Sequence, residues 1–515
     1  MGKSEDIWES AEWIARRQEC SRRSNWYEGL PLDRTNEKRD RETGDLVKQF
    51  PLRINLVRLS CDIHRDLARG IPNRGDPLIV RAAVERSGNI GETAEKLENI
   101  INDKLWRPSH GGPIQQEALL SMNIYDGAVF KLSWEPWDTD LPYRLAVRLI
   151  KNPGFINPVW DPQNPWRMLE CYYGFKISPE VAKLKYGVTA RQDNLPVLYL
   201  EHWTRDDWRV TVDERVPTME WGDNKWELQG DNPWSFVPFY YIPHERTTKL
   251  FGDSQVDGQE ALNKDINSKM AVLSDTVRAS WPGLLWGHDL DRSLDVRRIV
   301  YEGKVVTLVA DAGRTRNVQG AQPPTLAAIP TPDIPPAIAS FPQDLLNFWM
   351  MIERISPATF GMDDTSSGRI TGPAVTNRMW TSMAHSTTEC INFSEGKTIL
   401  DGDALRILAE REKSGAFEEL GIEPPGIALE SMEIRQSWPP MIPADRSDKH
   451  DEYIERLREY GISPQEYLKE MGEDDVEGEM SRIEAWMRLE AEIEAASKPQ
   501  PQERQSEPGN QSSNP

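Results

Sequence analysis

The triplet Gly396-Lys397-Thr398 is the part of the chain that comes closest to nucleotide chemistry, because Gly-Lys-Thr closes the phosphate-binding pattern GxxxxGK[ST]. That pattern requires a glycine at position 391, where this chain has Ile391. A phosphate loop also needs a glycine-rich turn between a strand and a helix, so that its N–H groups point at the phosphate. This triplet falls inside a predicted helix, and the sequence therefore argues against ATP binding there.

Nucleophilic and zinc chemistry are matched no better. Gly252-Asp253-Ser254 resembles the start of a nucleophile elbow, but the closing glycine is missing, and we interpret Ser254 as a helix cap. The seven histidines are scattered, and His244-Glu245 is not followed by the second histidine of an HExxH zinc motif. These residues give no arrangement for nucleophilic or zinc-dependent catalysis.

Close pairs of acidic residues supply the oxygen ligands that divalent cations prefer. The pairs are Asp289 and Asp291, Asp363 and Asp364, and Asp401 and Asp403. None has the glycine and glutamate of an EF-hand loop, so turn residues or helix caps are the preferred interpretation. The sequence therefore predicts no catalytic residue, no cofactor and no bound metal, and it favours a structural or mechanical role over an enzyme.

Composition and charge limit the function further. The chain has 515 residues, and its 83 acidic against 61 basic residues give a net charge of −22. Such a charge argues against gripping nucleic acid or anionic lipid over the whole surface, so any DNA contact must be local. The four cysteines form no CxxC pair, and neither an export signal nor an apolar stretch of membrane-spanning length is found. We expect a soluble, unexported protein of a reducing compartment, without membrane contact.

The N-terminal half reads as helices followed by strands. Residues 1–50 are polar and highly charged and predict a flexible arm, and apolar residues at helical spacing predict helices over Asn55–Arg69, Thr93–Trp106 and Gln115–Asn123. From there to Tyr241, short alternating runs predict an antiparallel β region. It holds nine of the nineteen tryptophans. We interpret these as core residues rather than as a platform for stacking bases, which would need a basic groove.

Three long helices are predicted in the second half, over Gln255–Ala279, Pro335–Ile355 and from Thr371 to about Gly415. A small β insertion, residues 284–332, separates the first two, and the loop Ser356–Ile370 separates the last two. The first two helices carry apolar stripes.

The C-terminal part is strongly acidic. Residues 444–497 contain 17 acidic against 7 basic residues and predict consecutive short helices with a solvated face. Residues 498–515 are mostly Pro, Gln, Ser and Asn with scarcely an apolar side chain, so we expect a disordered tail.

Seven short stretches carry a resemblance when taken together in their order along the chain. They are Asn55–Pro72, Gly127-Ala128-Val129, Phe155–Asp161, Val237-Pro238-Phe239, Phe251–Asn267, Phe360–Arg369 and Ile434–Ser463. In this order they resemble motifs of the portal protein of tailed bacteriophages, the ring at one capsid vertex through which DNA enters and leaves. Arg369 departs from that pattern, because the family has a small residue at this position.

The resemblance implies an α+β portal fold with a β-rich wing, a two-helix stem, a small β clip, a long wing helix and a helical crown. The implied divisions are a flexible arm (1–50), wing (51–253), stem helix (254–280), clip (281–332), stem helix (333–355), tunnel loop (356–371), wing with its long helix (372–440), crown (441–497) and disordered tail (498–515).

The implied function is mechanical. Family members form a ring, typically of twelve subunits, that conducts double-stranded viral DNA during packaging and ejection. Within one thin subunit of such a ring the apolar stripes of the two stem helices cannot both be covered, so we expect these helices to pack on neighbouring copies. The ring docks the packaging motor (terminase) and later the head-completion or adaptor proteins, and it contacts the major capsid protein and scaffold. Its implied location is the virion, with assembly in the host cytoplasm. Two alternatives stay open: a motor ATPase subunit, which the missing P-loop opposes, and a cytoplasmic enzyme with a Trp-rich β domain.

The residues implied at the DNA channel lie on the tunnel loop and on the first stem helix. They are Asp363, Asp364, Ser366, Ser367, Gly368 and Arg369 on the loop, and Lys264, Lys269 and Arg278 on the helix. For the helix residues, ordinary pairs with Glu260, Asp265 or Asp275 are the preferred alternative. In the clip, Trp281, Trp286 and Tyr301 would anchor partner proteins, with core packing as the equal alternative.

Overall fold

The computed structural model forms two compact units, Met1–Ile442 and Pro443–Pro515. The residues that it describes are 4–34, 37–39, 46–48, 53–71, 78–84, 91–135, 144–191, 195–221, 224–247, 251–280, 284–288, 325–329, 336–360, 372–412, 434–441, 463, 480–483 and 488. The second unit is therefore described at a few positions only. The predicted crown and the predicted disordered tail lie almost wholly outside the described residues.

The longest helices of the first unit lie in its C-terminal half. The α-helices are α1 (Ser4–Trp8), α2 (Ala11–Tyr27), α3 (Leu56–Arg69), α4 (Gly91–Asn99), α5 (Gly111–Tyr125), α6 (Pro179–Tyr186), α7 (Gln259–Ser280), α8 (Pro336–Ile352) and α9 (Gly372–Glu412).

Most strands lie between α5 and α7. The strands are β1 (Glu37–Arg39), β2 (Leu46–Lys48), β3 (Arg81–Val84), β4 (Gly127–Glu135), β5 (Arg144–Ile150), β6 (Ile156–Trp160), β7 (Met168–Ile177), β8 (Val197–Thr204), β9 (Asp207–Val212), β10 (Thr218–Trp221), β11 (Asn224–Glu227), β12 (Gln229–Asp231), β13 (Phe239–Pro243), β14 (Leu284–His288), β15 (Thr325–Ile329) and β16 (Ile434–Ser437).

Two antiparallel sheets form the centre of the β region. One has the strand order β12-β9-β8-β7-β6, and the other has the order β13-β4-β5. Four two-stranded pairs, β1-β2, β10-β11, β14-β15 and β3-β16, complete the described sheet structure. The chain is therefore a mixture of helix and sheet, and the predicted α+β class and antiparallel β region are confirmed.

The largest core cluster lies where α9 crosses the three-stranded sheet. Phe130 of β4 contacts Phe393 of α9 on one side and Trp106 on the other, with ring centroids 6.1 Å and 5.8 Å apart, both edge to face. Gly396 allows this approach, because a Cβ atom there would lie 2.6 Å from the Ile242 side chain. The glycine of the Gly-Lys-Thr triplet is thus explained by helix packing on a strand.

The early helices follow their apolar periodicity. Asn55 caps α3 by accepting a hydrogen bond from the Arg58 N–H at 3.0 Å, as expected of an N-cap asparagine. The predicted helix over Thr93–Trp106 forms, but its last part, Ile100–Trp106, is a π-helix. The side-chain amide of Asn102 hydrogen-bonds both the N–H and the C=O of Ala82, each at 2.9 Å, and so joins the helix to β3.

The three long helices form close to their predicted bounds, with one correction. Ser254 does not cap the long helix, because α7 begins at Gln259. The Ser254 hydroxyl accepts from the Val256 N–H at 3.0 Å and lies 2.7 Å from the Ile124 carbonyl oxygen, to which it donates. Ser254 therefore fixes a turn that precedes the helix and ties that turn to the end of α5.

The N-terminal helix α2 is packed into the first unit, which differs from the flexible arm that its polar composition predicts. Trp13 and Cys20 are fully buried, and the indole N–H of Trp13 donates to the Gly154 carbonyl at 2.9 Å. Arg16 and Arg23 both reach the buried carboxylate of Asp126, which lies at the end of α5. These contacts attach α2 to the wall of the β region.

The sequence predicts that the tryptophans of the β region are core residues. The described tryptophans of the β region only partly fill its core: Trp203 is buried, whereas Trp160, Trp166, Trp208 and Trp234 are half-buried. Among the described residues, no helix combines the length and the apolar character needed to cross a membrane.

Candidate functional site

The predicted DNA-facing lysines lie on the exposed side of α7. The Lys264 ammonium lies 5.0 Å from the centre of the Trp26 ring. Lys269 lies 2.5 Å from Asp265, one turn earlier, and these side chains are 43% and 50% exposed. This is the i,i+4 pair that the preferred alternative predicts, and at such exposure it contributes little stability. Both lysine side chains are thus exposed on the surface of the single chain.

The other predicted site residues are placed only in part. Arg278 belongs to α7 and Trp286 belongs to β14, but their side chains are outside the described part of the structure. The remaining ones lie outside the described residues altogether. They are Asp363, Asp364, Ser366, Ser367, Gly368 and Arg369 of the predicted tunnel loop, and Trp281 and Tyr301 of the predicted clip.

The insertion between α7 and α8 is closed at its base by a two-stranded antiparallel sheet. β14 follows α7 and pairs with β15, which precedes α8, in a register that sets Trp286 opposite Ala327. The two helices pack on each other, so the chain leaves and returns to the helix pair through adjacent strands. The pairing of β14 with β15 thus brings the two described strands of the insertion together.

A face of α8 presents large apolar side chains to solvent. Phe341, Phe348 and Ile352 recur at spacings that place them on one side of the helix, and Met351 lies beside them. Phe348, Met351 and Ile352 are 48%, 69% and 46% exposed. On α9, Trp380 is 66% exposed. Exposed apolar surface of this kind usually marks an interaction site.

An apolar groove lies between α7 and α8. It has a volume of about 270 Å³, and its walls include Met270 and Leu273 of α7 and Phe341 and Leu345 of α8. Deeper between the helices, Trp349 is fully buried with Ile266 and Leu56 of α3. The helix pair is therefore covered by apolar packing on one side and open on the other.

A buried cluster of three histidines lies where the ends of α8 and β13 meet α3 and α9. The His64 and His385 rings are 4.5 Å apart, and the His244 and His385 rings are 5.4 Å apart, both edge to face. His64 Nε2 lies 3.0 Å from the Glu353 carbonyl, and His244 Nδ1 lies 3.1 Å from the Asp253 carbonyl. The histidine cluster thus joins segments that are distant in sequence.

Glu353 lies directly after α8 and is almost fully buried. Its carboxylate accepts hydrogen bonds from Ser60 of α3 at 3.0 Å, from Gln255 at 2.7 Å and from Gln259 of α7. Burial raises the pKa of Glu353 to about 7 despite these bonds. A polar cavity of about 170 Å³ lies beside it, lined in part by Glu245, Gln255 and His385.

The histidines and Glu353 at this junction change the stability of the fold in opposite directions as the pH changes. Burial, assisted by the neighbouring His385, lowers the pKa of His64 to about 3 and that of His244 to about 4. Their stabilising contribution is full above pH ~6.5, the ordinary histidine value, and is lost as the pH falls toward 4 and 3. Glu353, with its raised pKa, contributes fully below pH ~4.5 and loses that contribution as the pH rises through 7.

Lys397 of the Gly-Lys-Thr triplet is part of a buried ion pair. The triplet lies in the middle of α9, as predicted, and the Lys397 ammonium lies 2.7 Å from Asp401 and 3.0 Å from the Gln436 side-chain oxygen. Both charged side chains are at most 1% exposed. Burial lowers the pKa of Lys397, and Asp401 opposes that effect. Gly396 and Lys397 of the triplet are therefore explained by packing and ion pairing in the core.

Replacing Lys397 by methionine is expected to destabilise the protein by about 3 kcal/mol or more, because Asp401 would remain as an uncompensated buried charge. Adding Asp401→Asn should restore most of the loss, since the asparagine is neutral and keeps an acceptor for the Trp106 indole N–H, 2.8 Å away. Chemical denaturation of the two variants and the parent measures this. Equal destabilisation of the single and double variants would contradict the ion-pair interpretation.

Of the three acidic pairs, Asp401 and Asp403 lie in the described residues, and both accept hydrogen bonds from other side chains of the fold. Asp401 accepts from Trp106 and Lys397, whereas Asp403 accepts from Arg167 and from the Tyr240 hydroxyl. The other two pairs lie outside the described residues. Within the described ranges, no three His, Cys, Asp or Glu side chains are arranged to hold a metal ion.

The histidine cluster was missed by the sequence analysis, which found only scattered histidines. His64, His244 and His385 lie on α3, after β13 and on α9, and no spacing rule connects positions so far apart. The one local signal is His64, which lies on the buried face of α3 among Ser60, Cys61 and Leu67. A histidine on an apolar helix face is usually a core residue with a hydrogen-bonded ring. His64 is such a residue, because its Nε2 atom lies 3.0 Å from the Glu353 carbonyl oxygen, and it also belongs to the histidine cluster.

Comparison with models of known protein families and with curated protein sequences finds no match for this chain.

Proposed function

We propose that the chain is the subunit of a portal ring, the channel at one capsid vertex of a tailed bacteriophage through which viral DNA is packaged and ejected. The observation that carries the proposal is the exposed apolar face of α8, with Phe348, Met351 and Ile352 each 46% or more exposed. A second copy of the chain packed against this face would remove it from water, at roughly 25 cal/mol for each Å² of apolar surface buried.

The order of elements supports the same proposal. α7 leads into an insertion that returns through β15 to α8, and the long helix α9 follows after residues 361–371. This is the order expected of a stem, a clip, a second stem helix, a tunnel loop and a wing helix. In a ring, one surface of each subunit contacts a different surface of the next, and rotation closes the circle.

The proposed roles of the predicted residues follow from their positions in such a ring. Lys264, Lys269 and Arg278 on α7 and Arg369 on the loop would make brief contacts with DNA phosphates, while Asp363 and Asp364 would oppose lasting attachment. A net charge of −22 suits a conduit that must not bind what it conducts.

The proposed partners are proteins that assemble around such a ring. The insertion with Trp281, Trp286 and Tyr301 would dock the packaging motor and then the head-completion or adaptor proteins. The wing would contact the major capsid protein and scaffold. The proposed location is the virion, after assembly in the host cytoplasm.

Electron microscopy of the purified full-length chain tests the proposal most directly. The expected result is closed rings with a central channel, and light scattering should give a mass near twelve times the 58.9-kDa chain. A monomer of 58.9 kDa at micromolar concentration and moderate salt would contradict it. A monomer with a deep polar pocket that binds a small molecule would instead favour an enzyme.

Deleting residues 362–368 is expected to leave the rings intact and to lower the amount of DNA packaged or retained. The reason is position: in the proposed ring this loop projects into the channel at its narrowest point and buries little surface. Nuclease-protected DNA per assembled capsid is the measurement, and a Gly/Ser segment of equal length in place of residues 362–368 controls for the change in length. A deletion variant that fills and holds its genome like the parent would rule out a role in translocation.

A further inference from the structure

His385 of α9 lies within hydrogen-bond range of three side chains from other segments. Its Nε2 atom lies 3.1 Å from the Gln255 side-chain oxygen. Its Nδ1 atom lies 3.2 Å from an Arg354 guanidinium nitrogen and 3.3 Å from a Glu245 carboxylate oxygen. Arg354 and Glu245 are themselves 3.3 Å apart. One imidazole nitrogen therefore faces both a donor and an acceptor.

The protonation state of the imidazole decides which of these contacts is a hydrogen bond. The Gln255 oxygen can only accept, so Nε2 carries a proton in both states. In the neutral ring Nδ1 has a lone pair and accepts from Arg354. In the charged ring Nδ1 carries a proton, which Arg354 cannot accept and Glu245 can.

We propose that His385 is a proton-operated switch at the end of α8: neutral His385 holds Arg354, and protonated His385 releases Arg354 and binds Glu245 instead. The switch acts on the segment 353–356, which joins α8 to the residues that precede α9. It is independent of the proposed portal function, because every group that it needs belongs to one chain.

The backbone at Arg354 gives the switch something to act on. Arg354 has a φ of +56°, in the left-handed region that non-glycine residues rarely adopt. Its carbonyl accepts from the Ser382 hydroxyl at 3.0 Å, and that hydroxyl also accepts from the Ser356 N–H at 2.8 Å. If the Arg354 guanidinium loses its contact with His385 of α9, this backbone conformation loses one of its restraints.

The groups around His385 confine the switch to that residue. From α3, His64 stays neutral because burial lowers its pKa to about 3, and His244, after β13, behaves alike with a pKa of about 4. The hydrogen bond with His385 lowers the pKa of Glu245 to about 2, so the acceptor of the charged state is ionised throughout the range in which histidine titrates.

Further charged or titratable groups at the junction come from four segments. Glu353 follows α8, with Cys61 of α3 near it, Asp257 lies in the turn before α7, and Glu389 lies one turn along α9. Burial raises the pKa of Glu353 to about 7 and raises that of Glu389 well above its usual value. Protonation of these two carboxyl groups would remove negative charge near His385, so their effect opposes its protonation.

The test follows deuterium uptake at the imidazole Cε1–H of each histidine by mass spectrometry over a pH series, because its rate reports the protonation midpoint at any assembly size. Glu245→Gln should lower the His385 midpoint by about one pH unit, a tenfold loss of proton affinity, and Arg354→Gln should raise it by a similar amount. His202, which lies 2.6 Å from Glu170 elsewhere in the fold, is the internal control and should not respond.

Backbone amide exchange in residues 353–360 is the second readout. After correction for intrinsic pH dependence, exchange there should accelerate severalfold as His385 becomes protonated in the parent, and it should not do so in His385→Gln, which keeps a donor and an acceptor but no titration. A His385 midpoint that ignores both charge variants, or amide exchange that is the same in parent and His385→Gln, would overturn the proposal. Neither outcome bears on ring assembly.

Discussion

Replacing Phe348 and Ile352 together by glutamate is expected to convert rings of this chain into single subunits of 58.9 kDa, with at least a tenfold loss of the ring fraction. In the proposed ring a neighbouring copy covers this face of α8, and each subunit would then bury two new carboxylates without partners. The folded subunit should survive, because both side chains are about half exposed within a single chain. Light scattering or mass photometry measures the outcome.

The matched control is Leu184→Glu on α6. Leu184 is 87% exposed, more than any residue of the α8 face, but it lies on a short helix of the β region. This variant should form rings like the parent. Rings of unchanged mass from the Phe348 and Ile352 double variant, with circular dichroism showing a folded chain, would mean that the α8 face is not between subunits.

Asp126→Asn is expected to destabilise the first unit by about 3–5 kcal/mol, the usual cost of breaking a buried ion pair by removing one partner. Asp126 is 1% exposed and binds both Arg16 and Arg23, whose side chains are 11% and 8% exposed. It also accepts a hydrogen bond from the Tyr241 hydroxyl at 2.7 Å. Asparagine keeps the shape but leaves two buried guanidinium groups without this negative charge. Chemical denaturation followed by tryptophan fluorescence measures the loss.

Asp257→Asn is the control for that prediction. Asp257 binds Arg22 and Arg23 at 2.8 Å and 2.6 Å, but its side chain is 32% exposed and water can replace part of the interaction. We expect a loss of at most about 1 kcal/mol, as for other exposed pairs. If both aspartates gave the same small effect, burial of the Asp126 pair would not be what attaches α2.

The long helices could be predicted within a few residues because their information is local. The apolar stripe of α3 and its cap Asn55 lie within one short stretch, and the apolar residues of α7 and of α8 are likewise close together in sequence. The π-helical geometry of Ile100–Trp106 could not be predicted from apolar spacing, nor could the hydrogen bond from the Ala82 N–H of β3 to the Asn102 side chain within it. Periodicity describes which face is apolar, but it does not describe what that face meets.

The contacts of buried charged residues are the feature that the sequence predicts least well. Arg16 and Arg23 suggested a solvated arm, because arginines are mostly exposed unless paired, and their partner Asp126 is more than a hundred positions away. The histidine cluster could not be predicted for the same reason, because its three members are far apart in sequence.

The sequence predicts that the apolar stripes of α7 and α8 cannot both be covered within one chain. Ile266 of the α7 stripe is buried, whereas Phe348, Met351 and Ile352 of α8 are exposed. That the exposed face packs on a neighbouring copy stays a prediction.

The attachment of α2 also fixes an order of events during synthesis. The helix is made before the residues that it binds: Arg23 binds a residue 103 positions later and another 234 positions later, and Trp13 binds one 141 positions later. Trp13 packs with Leu200 and Trp26 packs with Val256, so each indole ring lacks part of the surface that buries it until these residues have been made. A nascent chain therefore carries exposed aromatic surface on α2 while the residues between α2 and Val256 are being made, and chaperones or neighbouring nascent chains can bind such surface.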